Sequence, residues 1–178
     1  MKKIVATRLV LIIGTVMGVI SLLNILIQRD DSTKHMKNNS ALVIDQIDVA
    51  LKKNEQEIVK KTEVRNLISR MPVSDGMTYY VVEKKEHTIV GATDNSLVTT
   101  PIEELMGEWK LEEVVTSSKT GLKKCFYFEE VGEYYIGVSQ LESMVFENLK
   151  SNAGQLFIYL FIASYIMIVG SMNMVDRY

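Results

Sequence analysis

The residue types that carry most enzyme chemistry are scarce in this sequence. It has two histidines, His35 and His87, and neither lies at a metal-site spacing from another ligand residue. The single cysteine, Cys125, falls in a strand-like stretch, where a buried and unreactive thiol is expected, and it cannot form a disulfide within the chain. The sequence contains no glycine-rich phosphate loop, Ser-His-Asp pattern or CxxC pair. We therefore predict no catalytic residue, no metal and no cofactor, and we expect that this chain is not an enzyme.

Two long apolar stretches dominate the ends of the chain. Residues 9–27 and 156–174 are each 19 residues without a charge. At about 1.5 Å per residue, each would span roughly 28 Å as a helix, close to the ~30 Å hydrocarbon core of a bilayer. A buried core helix is the alternative for both stretches. A cleaved signal peptide is a further alternative for the first, but signal cores have about 7–15 apolar residues and end at a small-residue cleavage site. We predict two transmembrane helices, with the lipid bilayer as a partner.

Charge predicts the orientation in the membrane. The first residues carry Lys2, Lys3 and Arg8 and no acid, and positive flanks stay in the cytoplasm. Residues 28–155 would then lie outside the plasma membrane, with both termini cytoplasmic. This middle segment has 16 Lys and Arg against 21 Asp and Glu, a net charge of −5, which argues against nucleic acid as a partner. The predicted domains are a cytoplasmic start with the first span (1–28), an extracytoplasmic domain (29–154), the second span (155–174) and a cytoplasmic tail (175–178).

The extracytoplasmic segment begins with a predicted long helix over about residues 32–70. Apolar residues and one asparagine recur in it at spacings of three and four, which is typical of a helix with one packed face. This stripe could pack on the domain's own sheet, or it could pair two copies of the helix in a homodimer. We favour packing for its upper part and a dimer seam for the part nearest the membrane, where both interpretations stay open. The stripe consists of Ile44, Ile47, Leu51, Asn54 and Ile58.

Two predicted hairpins follow, with helices between and after them. "TYYVVE" and "TIVGAT" flank the turn "KKEH", and "LKKCFYFEE" and "EYYIGVSQ" flank Val131-Gly132. In "TPIEELMG", Thr100 is the predicted cap, Pro101 the first helical residue, Glu103 the capping-box partner and Gly107 the end. "WKLEEVV" is a predicted short helix, and "LESMVFENLKSNAG" a helix that leads into the second span. Antiparallel strands with helices beside them indicate the α+β class.

The central segment resembles a known family of sensor domains. "YYVVEKKEHTIVGATDNSLVTTPIEELMG" is similar to the central signature of Cache domains, the extracytoplasmic relatives of PAS domains, and "VGEYYIGVSQL" resembles their closing strand. The resemblance covers about residues 36–150. It implies a single-lobed antiparallel sheet with a long N-terminal helix, flanked by two transmembrane helices. The Arg-aromatic signature of amino-acid-binding members has no clear match, so the ligand stays unassigned.

The resemblance also implies a small-molecule pocket between the sheet and the loops and helices over it. Such pockets are mostly apolar with a few placed polar groups. An alternative role exists for each candidate: the tyrosines as core residues, Asp94 as a turn or cap residue, and Arg70 as a solvated helix end, although its guanidinium could also bind a carboxylate. The candidates are Arg70, Tyr79, Tyr80, Thr93, Asp94, Trp109, Lys110, Tyr127 and Tyr135.

The family resemblance predicts extracytoplasmic signal sensing and transduction to a cytoplasmic output module. In such receptors the module is a histidine kinase, a diguanylate cyclase, a phosphatase or a chemoreceptor tail. "SMNMVDRY" resembles the entry to the linker that precedes it, so we expect this chain to be the sensory part of a longer receptor. Two other classes remain open: a membrane-tethered adaptor that binds another envelope protein, and an envelope enzyme.

Overall fold

The computed structural model describes residues 2–53, 61–73, 76–147, 158–167 and 169–170. The chain divides into two compact units. One consists of Met1–Asp31 with Phe146–Tyr178, and the other is Ser32–Val145. The first helix, α1, runs from Lys2 to Lys53 and contributes residues to both units.

The first unit contains the apolar part of α1. Among the described residues, one helix, Leu11–Lys52, is long and apolar enough to cross a membrane, and none of its most apolar stretch is buried within the protein. Its large side chains are exposed, for example Ile12 at 61% and Leu22 at 62%. The predicted second span at 156–174 falls only partly within the described residues, where Ile158–Met167 forms a shorter apolar helix. Two flanking transmembrane helices were predicted, and the structure describes one candidate.

The second unit is built on a five-stranded antiparallel sheet. Its strands are β1 Met77–Glu83, β2 Thr88–Ala92, β3 Val115–Ser117, β4 Lys124–Val131 and β5 Tyr134–Leu141, and the further helices are α2 Lys61–Ser69, α3 Ile102–Met106 and α4 Glu142–Val145. The strand order is β2-β1-β5-β4-β3, so the two hairpins pair with each other through β1 and β5. The α+β prediction with a long N-terminal helix is therefore confirmed, and so are both hairpins.

The predicted long helix over 32–70 corresponds to two described helices. α1 ends at Lys53 and α2 begins at Lys61, and residues 54–60 lie outside the described part of the chain. Ile44 and Ile47 are fully buried and Leu51 is nearly so. This side of α1 therefore packs within its own unit. For these three residues the structure supports packing on the domain itself rather than pairing of two copies of the helix. Asn54 and Ile58 lie outside the described residues.

The helix predicted for "WKLEEVV" is wrong. Leu111 and Glu112 lie in a turn, and Val115 begins β3, where it pairs with Phe126 of β4. The backbone N–H of Glu112 donates to the carbonyl of Phe128 at 2.8 Å, so the preceding turn is also hydrogen-bonded to β4. A seven-residue helix gains little from its own hydrogen bonds, and pairing of β-branched residues with an open strand edge outweighs it.

The boundaries of α3 differ in part from the prediction. The helix ends at Gly107, whose φ of 78° a glycine adopts without strain, as predicted. Its N-cap is Pro101 rather than Thr100, with no side-chain capping bond. Glu103 does not complete a capping box, because its carboxylate bonds to His87 instead.

The sheet has two differently covered faces. The face that we call the α3 face carries Tyr80, Val82, Phe126 and Phe128, which pack with the buried side chains of α3. On the opposite face, α2 lies against Gly91 of β2, where its backbone and Ile68 come within 3.4 Å of the position of a Cβ. A β-bulge separates the pairs Val81↔Gly91 and Val82↔Ile89.

The bulge decides which β2 residues face the core. It leaves Val90 as an extra residue, so Ile89 and Ala92 both join the cluster on the α3 face although they are three positions apart. Strict alternation would have sent one of them to the other side of the sheet.

Gly137 in the central strand β5 makes room for an aromatic ring. It pairs with Tyr80 on one side and with Phe128 on the other. A Cβ at Gly137 would lie only 2.1 Å from the Phe128 ring, which is fully buried. The ring therefore occupies the space above the glycine, and the two tilted pairs of Tyr80 with Phe126 and Phe128 depend on it.

We expect Gly137→Ala to destabilise the protein by about 1–3 kcal/mol, because the buried Phe128 ring would have to leave its position. Gly91→Ala is the matched control, since its new Cβ would meet neighbours at 3.4 Å, an ordinary contact distance. Chemical denaturation of the two variants measures the difference. Equal stability of Gly137→Ala and wild type would contradict this account of the sheet.

Candidate functional site

Three rings meet at the edge of the α3 face and form what we call the aromatic cluster: His87, Trp109 and Tyr135. The Trp109 and Tyr135 ring centroids are 4.8 Å apart, and those of His87 and Trp109 are 5.5 Å apart, both pairs being edge-to-face. Trp109 also contacts Phe128 of the buried core, with centroids 5.7 Å apart. The cluster therefore joins the core to a half-exposed histidine.

Backbone hydrogen bonds position the histidine against α3. His87 lies in the turn between β1 and β2, and its carbonyl accepts from the N–H of Ile102 at 2.9 Å. On the same side, the carbonyl of Ile89 accepts from Thr99 at 2.8 Å and the N–H of Ile89 donates to Thr100 at 3.0 Å. The chain that enters α3 is thus bonded along β2, and α3 starts beside the imidazole.

The carboxylate of Glu103 completes this side of the cluster. Its Oε1 lies 2.8 Å from Nδ1 of His87, and both side chains are nearly half exposed. Partial burial raises the pKa of the Glu103 carboxyl, but hydrogen bonds from its own backbone N–H, from His87 and from Trp109 outweigh this effect and leave the pKa below its ordinary value. Glu103 is therefore a charged acceptor for the imidazole at neutral pH.

Two lysines lie close to the cluster. Lys84 Nζ is 5.6 Å from the Tyr135 ring centroid and pairs with Glu130. Lys119 Nζ donates to the backbone carbonyl of Glu103 at 3.0 Å. Within the described ranges no group of three or more His, Cys, Asp or Glu side chains could hold a metal ion. The cluster offers a titratable imidazole, a carboxylate and two aromatic rings, a set that can bind a proton or another cation.

The segment that carries Trp109, residues 107–114, is called the tryptophan loop below. Glu112 attaches it to two elements: its N–H donates to Phe128 of β4, and its carbonyl accepts from Lys37 Nζ of α1 at 3.0 Å. Lys37 also lies over the Tyr127 ring, 5.6 Å from its centroid. The loop therefore has direct bonds to the sheet and to α1.

The backbone is strained where these segments are attached. Three non-glycine residues of the described chain have positive φ: His87 at 51°, Thr99 at 75° and Glu112 at 59°. A β-branched residue such as Thr99 rarely adopts this conformation. Each of the three makes a backbone bond described above, so tertiary contacts hold a conformation that costs on the order of 1–3 kcal/mol per residue.

The predicted ligand-binding tyrosines divide between the two faces. Tyr135 lies with Trp109, as the prediction of a shared site requires. Tyr80 is buried deeper on the α3 face, where its hydroxyl is 2.9 Å from the Ser139 hydroxyl and burial raises its pKa. Tyr79 and Tyr127 both pair with Val138 and alternate with these residues, so they lie on the opposite face. Burial also raises the pKa of Tyr127, whose hydroxyl donates to Glu129.

The other predicted site residues lie apart from the cluster. Arg70 is exposed beyond the end of α2, and Lys110 forms an exposed ion pair with Glu113. Thr93 accepts from the N–H of Tyr79 at 3.0 Å through its hydroxyl. Asp94 accepts from Ser96 at the start of a 3-10 turn, and these bonds lower the pKa of its carboxyl. The structure thus brings together Trp109 and Tyr135 of the predicted set, and ligand binding by these nine residues stays a prediction.

His87 and Glu103 are additions to the sequence-based set. The sequence placed His87 in a turn and Glu103 at a helix cap, and their 16-residue separation matches no local spacing rule. The capping pattern gave Glu103 a local partner, whereas the fold gives it a nonlocal one. Lys37 and Glu112 were likewise not candidates, because the bond between them joins residues 75 positions apart.

No protein-family model matches the chain, and no curated protein sequence matches it.

We expect Glu103→Gln to lower stability at neutral pH by up to about 1 kcal/mol, the range for a largely solvated charged pair. The folded-state pKa of Glu103 is depressed, so its contribution is present above the unfolded-state pKa, about 4.3, and is lost as the pH falls through the folded value. Denaturation between pH 3 and 7 measures this, with Glu104→Gln, an exposed neighbour, as control. A deficit that persists undiminished at pH 3 would contradict the assignment.

Proposed function

We propose that this chain is the sensory segment of a bacterial membrane receptor: a Cache-like domain that detects an extracytoplasmic signal and passes a conformational change to a cytoplasmic output module. The observation that carries the proposal is the double attachment of the tryptophan loop. A loop that borders a titratable aromatic cluster is bonded to the helix that also contains the candidate membrane span.

The membrane part of the proposal is supported by the surface of α1. Its apolar stretch exposes large aliphatic side chains, which water solvates poorly and lipid solvates well. The Thr15 hydroxyl donates to the Leu11 carbonyl at 2.8 Å, and that of Ser21 to Met17 at 2.9 Å. Hydroxyl groups satisfied within the helix remove the main cost of placing them in hydrocarbon. The second span and the outward orientation are proposed from the sequence.

The sensor part is supported by the order of elements. A long helix, a hairpin, a short helix and a second hairpin follow one another, the order that the Cache resemblance implies. One buried cluster of the unit lies between the sheet and α3, and the aromatic cluster lies at the edge of this face. A ligand that contacts Trp109 or Tyr135 would therefore alter packing that reaches Phe128.

Transmission follows from bonds on the two sides of the tryptophan loop. A ligand or ion that prefers one position of Trp109 favours the matching position of Glu112, three residues later. Glu112 holds Lys37, so the position of α1 relative to β4 changes with it. Such a ligand shifts the balance between two arrangements only by the difference in its affinity for them.

A homodimer would place two copies of α1 side by side. Leu42 and Val49 lie two turns apart on its exposed face and are 62% and 64% exposed. The buried Ile44 and Ile47 are already packed within the unit. We therefore propose that any pairing of α1 outside the membrane uses the face with Leu42 and Val49.

The first test is a metabolite screen of the full chain in detergent micelles. Trp109 is the single tryptophan, so its fluorescence reports on the aromatic cluster directly. Amino acids, organic acids, amines and nucleobases are added in turn, and the melting temperature is measured in parallel. A ligand at a hundred times its dissociation constant should stabilise the fold by about 2.7 kcal/mol, which raises the melting temperature by several degrees.

A matched pair of variants locates the binding. Tyr135→Leu should abolish both the fluorescence change and the stabilisation, whereas Tyr134→Leu, at the adjacent position of β5, should retain them. Stabilisation without any change at Trp109 would place the ligand elsewhere. The absence of any response across the panel would favour the adaptor, which binds another envelope protein.

Orientation and pairing can be tested with Leu42→Cys. A membrane-impermeant maleimide should label this variant on intact cells, and mild oxidation should cross-link it as a dimer. Wild type is the first control, because its only cysteine, Cys125, is fully buried. Ile44→Cys, also buried, is the second.

Labelling of Leu42→Cys only after the cells are opened would contradict the proposed orientation. A labelled but uncross-linked variant would contradict pairing through this face.

A further inference from the structure

We propose that the aromatic cluster is a proton-binding site, and that the proton is a signal to which this domain responds. This inference rests on the proposed sensor function and specifies its ligand. It is carried by the surroundings of His87: a carboxylate at 2.8 Å, two edge-to-face aromatic rings and a side chain that is 44% exposed.

Protonation of His87 strengthens its contact with Glu103. The bond already has a charged acceptor, and protonation turns it into an ion pair between imidazolium and carboxylate. Trp109 and Tyr135 have ring centroids 5.5 and 6.0 Å from that of His87, so a charge on the imidazole lies close to both rings. The exposed fraction of the ring allows protons to exchange with the surrounding water.

The other charged groups around the cluster are already engaged. Lys84, at the start of the same turn, is paired with Glu130 of β4, and Glu86 in the turn lies 4.0 Å from Lys61 of α2. Lys119 donates to the backbone of Glu103 rather than to its carboxylate. Glu103 is therefore the carboxylate whose bond to His87 becomes stronger when the imidazole gains a proton.

The direction of the response follows from the contacts. A fall in pH favours the protonated imidazole, because the proton is taken from the surrounding water. The charged ring holds Glu103 of α3 more strongly, which favours the attached position of the tryptophan loop that follows α3. A rise in pH weakens this contact and leaves the strained backbone at His87 and Glu112 less well supported.

The test is a pH titration of Trp109 fluorescence with the full chain in detergent micelles, from pH 4.5 to 8.5. We expect a single transition in wild type, with lower emission on the acid side because an imidazolium in contact with an indole quenches it. His87→Asn should lose the transition, and asparagine tolerates the positive φ of this position. His35→Asn, which removes the only other histidine, should retain it. Glu103→Gln should move the midpoint to lower pH.

Loss of the transition in His87→Asn, with its retention in His35→Asn, would support the proposal. A transition that survives in His87→Asn, or a wild type that shows none, would overturn it. The melting temperature of His87→Asn at pH 8 checks that the variant is folded, and a folded variant that lacks the transition is the expected result.

The two proposals fail in different ways. A pH titration with no fluorescence transition would contradict the proton as the signal, but it would not affect the metabolite screen or the labelling of Leu42→Cys. A cytoplasmic location of Leu42 would contradict the proposed receptor, whereas the fluorescence transition of a proton-binding site would still be observed.

Discussion

The segment from Thr99 to Glu112 crosses one face of the sheet, and the rest of the unit depends on the backbone hydrogen bonds at its two ends. At its start it is bonded to β2 through Ile89 and His87, and at its end to β4 through Phe128. Between these attachments α3 places Ile102, Leu105 and Met106 over the sheet and completes the core. The same attachments bring Glu103 and Trp109 to the turn with His87. Core and candidate site therefore share one constraint.

The packing under this segment explains why the sheet needs a glycine in its central strand. Phe128 lies over Gly137 and contacts both Tyr80 in the core and Trp109 in the cluster. A side chain at Gly137 would displace the Phe128 ring. The carbonyl of Phe128 accepts the N–H of Glu112, which attaches the tryptophan loop to β4. Stability of the core and position of the tryptophan loop are thus linked through one aromatic ring. Close-packed interiors transmit such displacements because they contain little free volume.

Patterns of local origin were predictable from the sequence. Alternating β-branched and aromatic residues gave both hairpins, and Gly107 gave the end of α3, because these features depend on neighbours within a few positions. The bonds of Glu103 to His87 and of Lys37 to Glu112 join distant residues, so no spacing rule finds them. "WKLEEVV" shows the reverse error: its helical pattern is local, and the open edge of β4 overrides it. Trp109 and Tyr135 were found by type and position, but the sequence did not separate them from Tyr79 and Tyr127 on the other face.

Backbone strain is concentrated at the attachment points of the segment from Thr99 to Glu112. Thr99 and Glu112 would each adopt a more favourable φ if their hydrogen bonds broke, so the attached loop holds free energy that its release would recover. The strain offsets part of the free energy of the hydrogen bonds that attach the segment, so a small change in contact strength can release it. An unstrained loop would be released only when the full free energy of its bonds is overcome. The largely solvated pair of His87 and Glu103 contributes up to about 1 kcal/mol, the lower end of the strain at one residue. Lys37 of α1 is bonded to the strained residue itself, so the loop and the helix that carries the candidate span are in direct contact, with no further element between them.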